Sequence, residues 1–146
     1  PSLYPSIAGS ADSEVMFYLA LTFGLQEDPP AAVQRMVGFV EALARRHGVA
    51  EPLQMTVAST DGDRLWAFRY SSEGKSRSLH YSTAVTTLRA MYPENENLRR
   101  ISDETRIVVS EPLGELVGAW QPVPESSYGI IQKGADELRP FRPTAM

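Results

Sequence analysis

The sequence predicts an α+β fold in which two successive helices lie on one face of a mainly antiparallel sheet. Two helical patterns come first, over about residues 13–23 and 29–47. Alternating apolar and polar residues follow from about residue 53, on both sides of an Asp61-Gly62 pair that is typical of a hairpin turn. Helices grouped before strands are characteristic of α+β folds rather than of parallel α/β folds.

The first helix is predicted from about Ser13 to Phe23, directly after a small polar turn. Asp12 and Ser13 are both good N-cap residues, and Glu14 falls in the first turn, where negative charge complements the helix dipole. Gly24 suits the left-handed residue after the helix. Asp12 therefore has two interpretations, a plain helix cap or a carboxylate held still beside a pocket.

The second helix is predicted from about Pro29 to His47, because Asp28 is a good N-cap and Pro29 suits the first helical position. Gly48 ends it. Its apolar residues recur at helical spacing and form one stripe: Val33, Met36, Val37, Val40, Leu43 and Ala44.

Strands dominate the remaining chain. The hairpin joins alternating runs from Leu53 to Ala58 and from Leu65 to Tyr70, and its aromatic face is predicted to lie in the core. We also predict a short strand at Leu79 to Ser82, a buried strand at Thr105 to Ser110 and a final strand at Tyr128 to Gln132. Because this layout covers one sheet face only, a second sheet is expected from another segment or a partner chain.

Three further segments carry weaker signals. Residues 83–91 fit a short helix or a loop, and residues 92–97 read as a polar, turn-rich surface excursion. Trp120 is expected to anchor a bend between Gly118 and Pro124. The proline-containing tail is predicted to be extended, with Leu138 and Phe141 packed against the domain.

The length, composition and net charge of the chain limit the functions that it can have. A chain of 146 residues with 42% hydrophobic and 22% charged residues fits one globular domain over residues 1–146. The net charge of −4 gives no reason to expect nucleic acid or an anionic membrane as partner, and no apolar run reaches the length of a membrane span. The lack of cysteine excludes thiolate chemistry by this chain and is compatible with a cytoplasmic location.

Signatures of catalysis are also lacking in the sequence. It contains no Gly-rich phosphate loop and no Gly-x-Ser-x-Gly elbow. His47 and His80 stand apart from any carboxylate cluster, so neither a metal site nor a cofactor is expected. Ser59, Ser71 and Ser126 lie in turn-like stretches without a partner base, so no catalytic residue is predicted in this chain.

The order of several motifs carries a family resemblance over roughly Ile7 to Ile131. The turn Gly9-Ser10-Ala11-Asp12-Ser13-Glu14 and the helix after it resemble the Ser/Thr-Asp-Ser/Thr-Glu turn and helix of class II glutamine amidotransferases. The chain is most similar to stand-alone hydrolases of this kind with an N-terminal nucleophile. The other matching segments are Asp28-Pro29, Ala58 to Gly62, Arg64 to Ala67, Arg69 to Ser71, Val108 to Leu113 and Trp120 to Pro124.

The resemblance implies a four-layer αββα sandwich, of which this chain would form the C-terminal half. It implies that Asp12 binds the α-amino group of glutamine or of a γ-glutamyl compound, with Ser13 and Trp120 as pocket neighbours. In the family an N-terminal cysteine attacks the side-chain amide, an Asn-Gly pair forms the oxyanion hole and an arginine pairs with the substrate carboxylate. Since these groups have no counterpart here, a complementary N-terminal segment or chain is expected to supply them.

Two other hypotheses remain from the sequence. The chain could be a non-catalytic binding or interaction module that keeps half of the sandwich, because it contains no cysteine. A hydrolase that uses a serine or threonine of this chain is the third, and it would need a base that the sequence does not reveal.

Overall fold

The computed structural model describes residues 3–145, so Pro1, Ser2 and Met146, the outermost residues of the predicted lead-in and tail, lie outside the described residues. A 3-10 turn at Tyr4–Ser6 precedes two helices, α1 (Asp12–Thr22) and α2 (Pro29–Arg46). A hairpin of β1 (Gln54–Thr60) and β2 (Leu65–Ser71) follows. The remaining elements are β3 (His80–Ser82), α3 (Val85–Met91), α4 (Glu96–Arg100), β4 (Val108–Val109), β5 (Trp120–Pro122), β6 (Ser127–Ile131) and β7 (Glu137–Pro140).

The two long helices form where the sequence predicts them. The Asp28 carboxylate accepts a hydrogen bond from the Ala31 N–H at 3.1 Å and caps α2, while Pro29 occupies the first turn. Gly24 has a φ of 92°, the left-handed conformation expected after α1. Within residues 3–145, no helix combines the length and the apolar character needed to cross a membrane.

A four-stranded antiparallel sheet, in the order β1-β2-β6-β7, receives the helices on one face. Phe68, at the centre of β2, is fully buried there, and its ring lies 5.6 Å from the Tyr128 ring and 6.0 Å from the Phe141 ring. The core between this face and the helices contains Ala20, Val33, Met36, Val37, Met55, Trp66 and Phe68. The fold is therefore α+β, as predicted, with two helices on a mainly antiparallel sheet in the manner of half an αββα sandwich.

The opposite face of this sheet is covered by the chain itself, which corrects the expectation that another segment or chain would supply the second sheet. β3 does not extend the first sheet but lies between β4 and β5 in a three-stranded antiparallel sheet. Leu79 and Tyr81 pack against Ala67 and Ile131 of the first sheet. The sequence pattern missed this layer because its strands are only two or three residues long.

Other local predictions need correction. α4 falls partly within the predicted turn-rich excursion, and Asn95 caps it by accepting hydrogen bonds from the Asn97 and Leu98 N–H groups. The predicted buried strand at Thr105 to Ser110 contracts to Val108–Val109, half-buried because β4 is an edge strand. Of the two tail residues, Phe141 is buried but Leu138 is 46% exposed.

The C-terminal tail packs against α2 at Gly38, where the backbone of Thr144 contacts the helix. A Cβ at Gly38 would lie 1.8 Å from the Thr144 carbonyl oxygen, so a side chain and the present path of the tail are incompatible. The Thr144 N–H donates to the Gln34 carbonyl at 3.0 Å. Glycine in a helix interior usually costs about 1 kcal/mol relative to alanine, and here it permits this backbone contact.

A charged network joins β2 to the segment that leads into β6. The Arg69 guanidinium donates to the Ser76 hydroxyl at 3.0 Å and to the Val123 carbonyl at 2.9 Å, and it lies 3.7 Å from the Glu125 carboxylate. Glu125 also accepts the Ser76 N–H at 2.8 Å. Burial alone would raise the pKa of Glu125, but the hydrogen bonds from Ser76 and the charge of Arg69 outweigh it and hold that pKa below its usual value of 4.5.

This network predicts an acid-dependent loss of stability. Because the pKa of Glu125 is lower in the folded state, its stabilising contribution is present above the unfolded pKa and disappears as the pH falls through the folded one. We expect Glu125→Gln to be less stable than the wild type at neutral pH, and the difference to shrink in acid. Urea unfolding between neutral pH and about pH 3 measures this, with Glu115→Gln on the exposed surface as control. A difference that stays constant with pH contradicts the prediction.

Candidate functional site

Asp12 is the first residue of α1 rather than its cap. The N-cap is Ala11, whose side chain forms no capping hydrogen bond, so the predicted capping role of Asp12 and Ser13 is wrong. Since the helix begins one residue earlier than predicted, the Asp12 carboxylate reaches only the adjacent backbone, where it accepts the Ser13 N–H at 2.7 Å. The carboxylate of Asp12 is exposed at the start of the helix, where the dipole favours negative charge.

Glu14 holds the segment before the helix. Its two carboxylate oxygens accept the Ala8 and Gly9 N–H groups, each at 2.9 Å. A Cβ at Gly9 would lie 2.6 Å from the Glu14 carboxylate, so a larger residue here would make the Glu14 side chain shift. We call this arrangement of Glu14 with Ala8 and Gly9 the Glu14 clamp. It fixes the chain on one side of Asp12 while α1 fixes it on the other.

Asp12 and Ser13 line a cavity of about 650 Å³ between α1 and β1, here named the Asp12 cavity. The α1 side also presents Met16, Phe17 and Ala20, and the deeper wall includes Met36 and Phe68. β1 borders the same space along its length, but its side chains alternate between the two faces of the sheet. Ser59 is on the same face as Met55 and Val57 and adds a hydroxyl to an otherwise apolar lining, while the side chains of Gln54, Thr56 and Thr60 are on the opposite face.

Among the described residues that line this cavity, Asp12 is the only one with an ionisable side chain. A single carboxylate in uncharged surroundings attracts a cationic group, and the attraction strengthens as water is excluded. The serine hydroxyls nearby both donate and accept, so they suit the polar remainder of a zwitterionic ligand. The arrangement can therefore bind a small molecule with an ammonium group.

Trp120 lies elsewhere in the domain. It belongs to β5 in the second sheet, packs beside Leu88, Leu98 and Ala119, and donates its indole N–H to the Leu113 carbonyl at 2.9 Å. The structure thus brings Asp12 and Ser13 to one cavity and leaves Trp120 outside its lining. Trp120 is anchored as predicted, but it begins the strand β5 instead of lying in a bend. Its place beside a substrate stays a prediction.

A second cavity, of about 680 Å³, lies next to the hairpin turn. Thr60, the last residue of β1, lines both cavities. The walls of the second cavity carry charges of both signs, and several are already paired: Arg106 with Asp136 at 2.6 Å and Lys133 with Glu104 at 2.9 Å. Because charges of both signs line this cavity and several are paired, it gives no single charge on which to argue a ligand. Among the described residues, no three histidine, aspartate or glutamate side chains converge as a metal site.

Sequence reasoning missed the polar residues of β1 and the role of Glu14. Ser59 and Thr60 read as turn residues, and nothing local indicates that β1 borders a cavity. The one sequence feature that corresponds to the clamp is an acid, Glu14, five residues after the small and flexible Gly9. That spacing has no established motif behind it.

Comparison with known proteins finds similar chains among solved structures. No family model matches the chain, and no curated protein matches it. A solved structure of a glutamine aminotransferase class-II domain protein from Silicibacter pomeroyi is similar, at 32% sequence identity and a TM-score of 0.77. The match covers 97% of this chain and 56% of that one, so this chain spans little more than half of its neighbour's length. The likeness supports the resemblance to class II amidotransferase domains.

The Glu14 clamp generates a prediction. Glu14→Ala should release the Ala8 and Gly9 amides to solvent and lower the free energy of unfolding by about 1–2 kcal/mol, because two charge-assisted hydrogen bonds are lost. Hydrogen exchange at these two amides and urea unfolding measure the effects. Glu14→Gln keeps one carbonyl acceptor and should fall between the wild type and Glu14→Ala. Unchanged exchange in Glu14→Ala would show that the clamp does not hold this segment.

Proposed function

We propose that this chain is part of a class II glutamine amidotransferase domain and supplies the side of the active site that binds the substrate's α-ammonium. The observation that carries the proposal is the Asp12 carboxylate, which is the single ionisable group among the described residues that line a cavity of about 650 Å³. The similarity to the Silicibacter pomeroyi protein supports the choice of family. Correspondence to the C-terminal half of such a domain is part of the same proposal.

In this proposal Asp12 pairs with the α-ammonium of glutamine, and the hydroxyls of Ser13 and Ser59 border the rest of the molecule. Glutamine and γ-glutamyl compounds share the same ammonium and carboxylate end. Asp12 therefore selects the glutamyl part and is indifferent to what the γ-carbonyl carries. The identity of the leaving group is read by residues nearer the reacting carbon, which the proposal assigns to the completing segment.

The reaction follows from the resemblance. A cysteine thiolate on an N-terminal segment outside this chain attacks the side-chain amide carbon, the C–N bond breaks and ammonia leaves after taking a proton. Water then attacks the resulting γ-glutamyl thioester, which releases glutamate and restores the thiol. This chain orients the substrate for both steps without contributing the nucleophile, because its sequence contains no cysteine.

A non-catalytic binding module is the second candidate, and the absence of a thiol from the sequence favours it. In that case the Asp12 cavity binds a glutamyl compound and no hydrolysis follows. Glutaminase activity of the protein isolated from its natural source separates the two candidates. Activity supports the hydrolase, and glutamine binding without turnover supports the module.

Replacement of the carboxylate tests the assignment of Asp12. Asp12→Asn in the assembled protein should raise KM for glutamine roughly 10- to 100-fold, because a hydrogen bond to a charged group contributes about 1.5–3 kcal/mol. The kcat should change little, since the ammonium is bound equally in the ground state and the transition state. The urea midpoint should stay near that of the wild type. Asp63→Asn, an acid outside the Asp12 cavity, is the matched control.

The outcomes for Asp12→Asn are distinct. A raised KM with an unchanged urea midpoint supports the substrate-binding role. Equal losses of stability and of glutamine affinity would return Asp12 to a structural role at the start of α1.

A covalent trap tests the source of the nucleophile. We expect a diazoketone analogue of glutamine to modify a cysteine on a second polypeptide or segment of the isolated protein, because the sequence of this chain has no thiol to react. Mass spectrometry after separation on a denaturing gel locates the adduct. An adduct on a serine or threonine of this chain would contradict the proposal and favour a hydroxyl nucleophile instead.

A further inference from the structure

The outer edge of β1 carries backbone groups that meet no other strand among the described residues. β1 pairs with β2 on one side and ends the four-stranded sheet on the other. The Ser72 N–H donates to the Leu53 carbonyl at 2.9 Å, which fixes the alternation of the hairpin, so odd-numbered residues of β1 bond to β2. The even-numbered residues point their N–H and C=O groups outward: Gln54, Thr56, Ala58 and Thr60.

This edge has none of the features by which proteins protect exposed strands. β1 reads Gln-Met-Thr-Val-Ala-Ser-Thr, without charge, proline or glycine. β7, at the opposite edge, reads Glu-Leu-Arg-Pro, and its Pro140 falls on an outward-facing position because the Phe141 N–H bonds inward to Ser126. Charged residues and proline prevent edge-to-edge pairing. The sheet therefore has one protected edge and one edge suited to pairing.

The Asp12 cavity lies beside the unprotected edge and has the character of a groove for side chains. Phe17 of α1 is 52% exposed and Val57 of β1 is 41% exposed, and both line this cavity. Val57 is on the same face of the strand as the buried Met55, so it points to the helix side of the sheet. A strand added to β1 would place alternate side chains in the cavity and remove both apolar surfaces from water.

We propose that an extended, uncharged segment of the polypeptide that completes this domain adds to β1 as a further strand and fills the apolar part of the Asp12 cavity. For the identity of its partner, this inference rests on the proposed function. It is consistent with a chain that spans 56% of its structural neighbour, whose remaining length offers such a segment. The added strand lies against the cavity that Asp12 lines, so it brings residues of the completing segment to the carboxylate.

Hydrogen exchange at single amides tests the docking. In the 146-residue chain alone, the outward amides of Thr56 and Ala58 should exchange fast. In the protein isolated from its source with the polypeptide that completes it, they should be protected by at least about 100-fold more. The outward amide of Leu138 on β7 should not change. Equal exchange at Thr56 and Ala58 in both samples overturns the proposal.

Self-association is a separate outcome of the same experiment. Protection of Thr56 and Ala58 that appears in the chain alone and rises with its concentration would mean that two copies pair through β1. That result also overturns the proposal.

A matched pair of variants confirms where the strand lies. Val57→Lys puts a charge on the cavity side of β1 and should return the Thr56 and Ala58 amides of the assembled protein to fast exchange. Leu138→Lys, at a comparably exposed apolar residue on β7, should leave them protected. Retained protection in Val57→Lys overturns the proposal. The urea midpoint of each isolated variant shows whether the chain still folds.

Glutamine hydrolysis is assayed on the same material, so the two proposals can fail separately. Protection of β1 without glutaminase activity leaves the docking intact and removes the proposed function. Glutaminase activity without protection of β1 removes the docking proposal and leaves the proposed function intact.

Discussion

The burial of β2 on both faces is the constraint on which the rest of the domain depends. Side chains of a strand alternate between faces, so this one segment must satisfy two cores at once. Trp66 and Phe68 are buried beneath the helices, while Ala67 is buried against the second sheet through Tyr81. The helices are thereby fixed on one face and the short strands on the other. The position of Asp12 follows, because α1 is seated through Ala20 on the helix-side core.

The same constraint explains why the candidate site lies at β1. A strand at the edge of a sheet has a neighbouring strand on one side only, so it is less covered than a central strand. β1 is such an edge strand, with β2 as its single neighbour among the described strands. α1 covers the buried Met55 but leaves Val57 half-exposed, and the unfilled space between helix and strand is the Asp12 cavity. A carboxylate at the open rim of such a cavity stays hydrated while the site is empty. The ligand and the additional strand that we propose would exclude this water and so strengthen the attraction of the carboxylate for an ammonium group.

The sequence predicts those structural features that are encoded by residues close together in the chain, and it fails for those that depend on distant residues. The Asp28 cap, the Gly24 helix end and the Asp61-Gly62 hairpin are encoded within a few residues and form as predicted. The second sheet is not local, because Ser82 pairs with Trp120 across 38 positions and its strands are too short to show alternation. α4 is hidden for a similar reason, since its five residues give no helical period. For the site, the sequence indicates Asp12 and Ser13, but the β1 wall of the cavity emerges only from tertiary packing.

The Glu14 clamp shows that the backbone before α1 is held by an acid other than Asp12. A capping carboxylate is committed to backbone N–H groups and has little capacity left for a ligand. Here the backbone groups before the helix are bonded by Glu14, which lies in the same first turn, and the N-cap position is held by Ala11. Asp12 therefore does not have to cap the helix, and its carboxylate accepts only the adjacent Ser13 N–H. It lies at the N-terminus of α1, where the helix dipole favours its negative charge. Because Glu14 holds the backbone before α1, the exposed Asp12 carboxylate stays available for the ammonium group of the ligand that we propose.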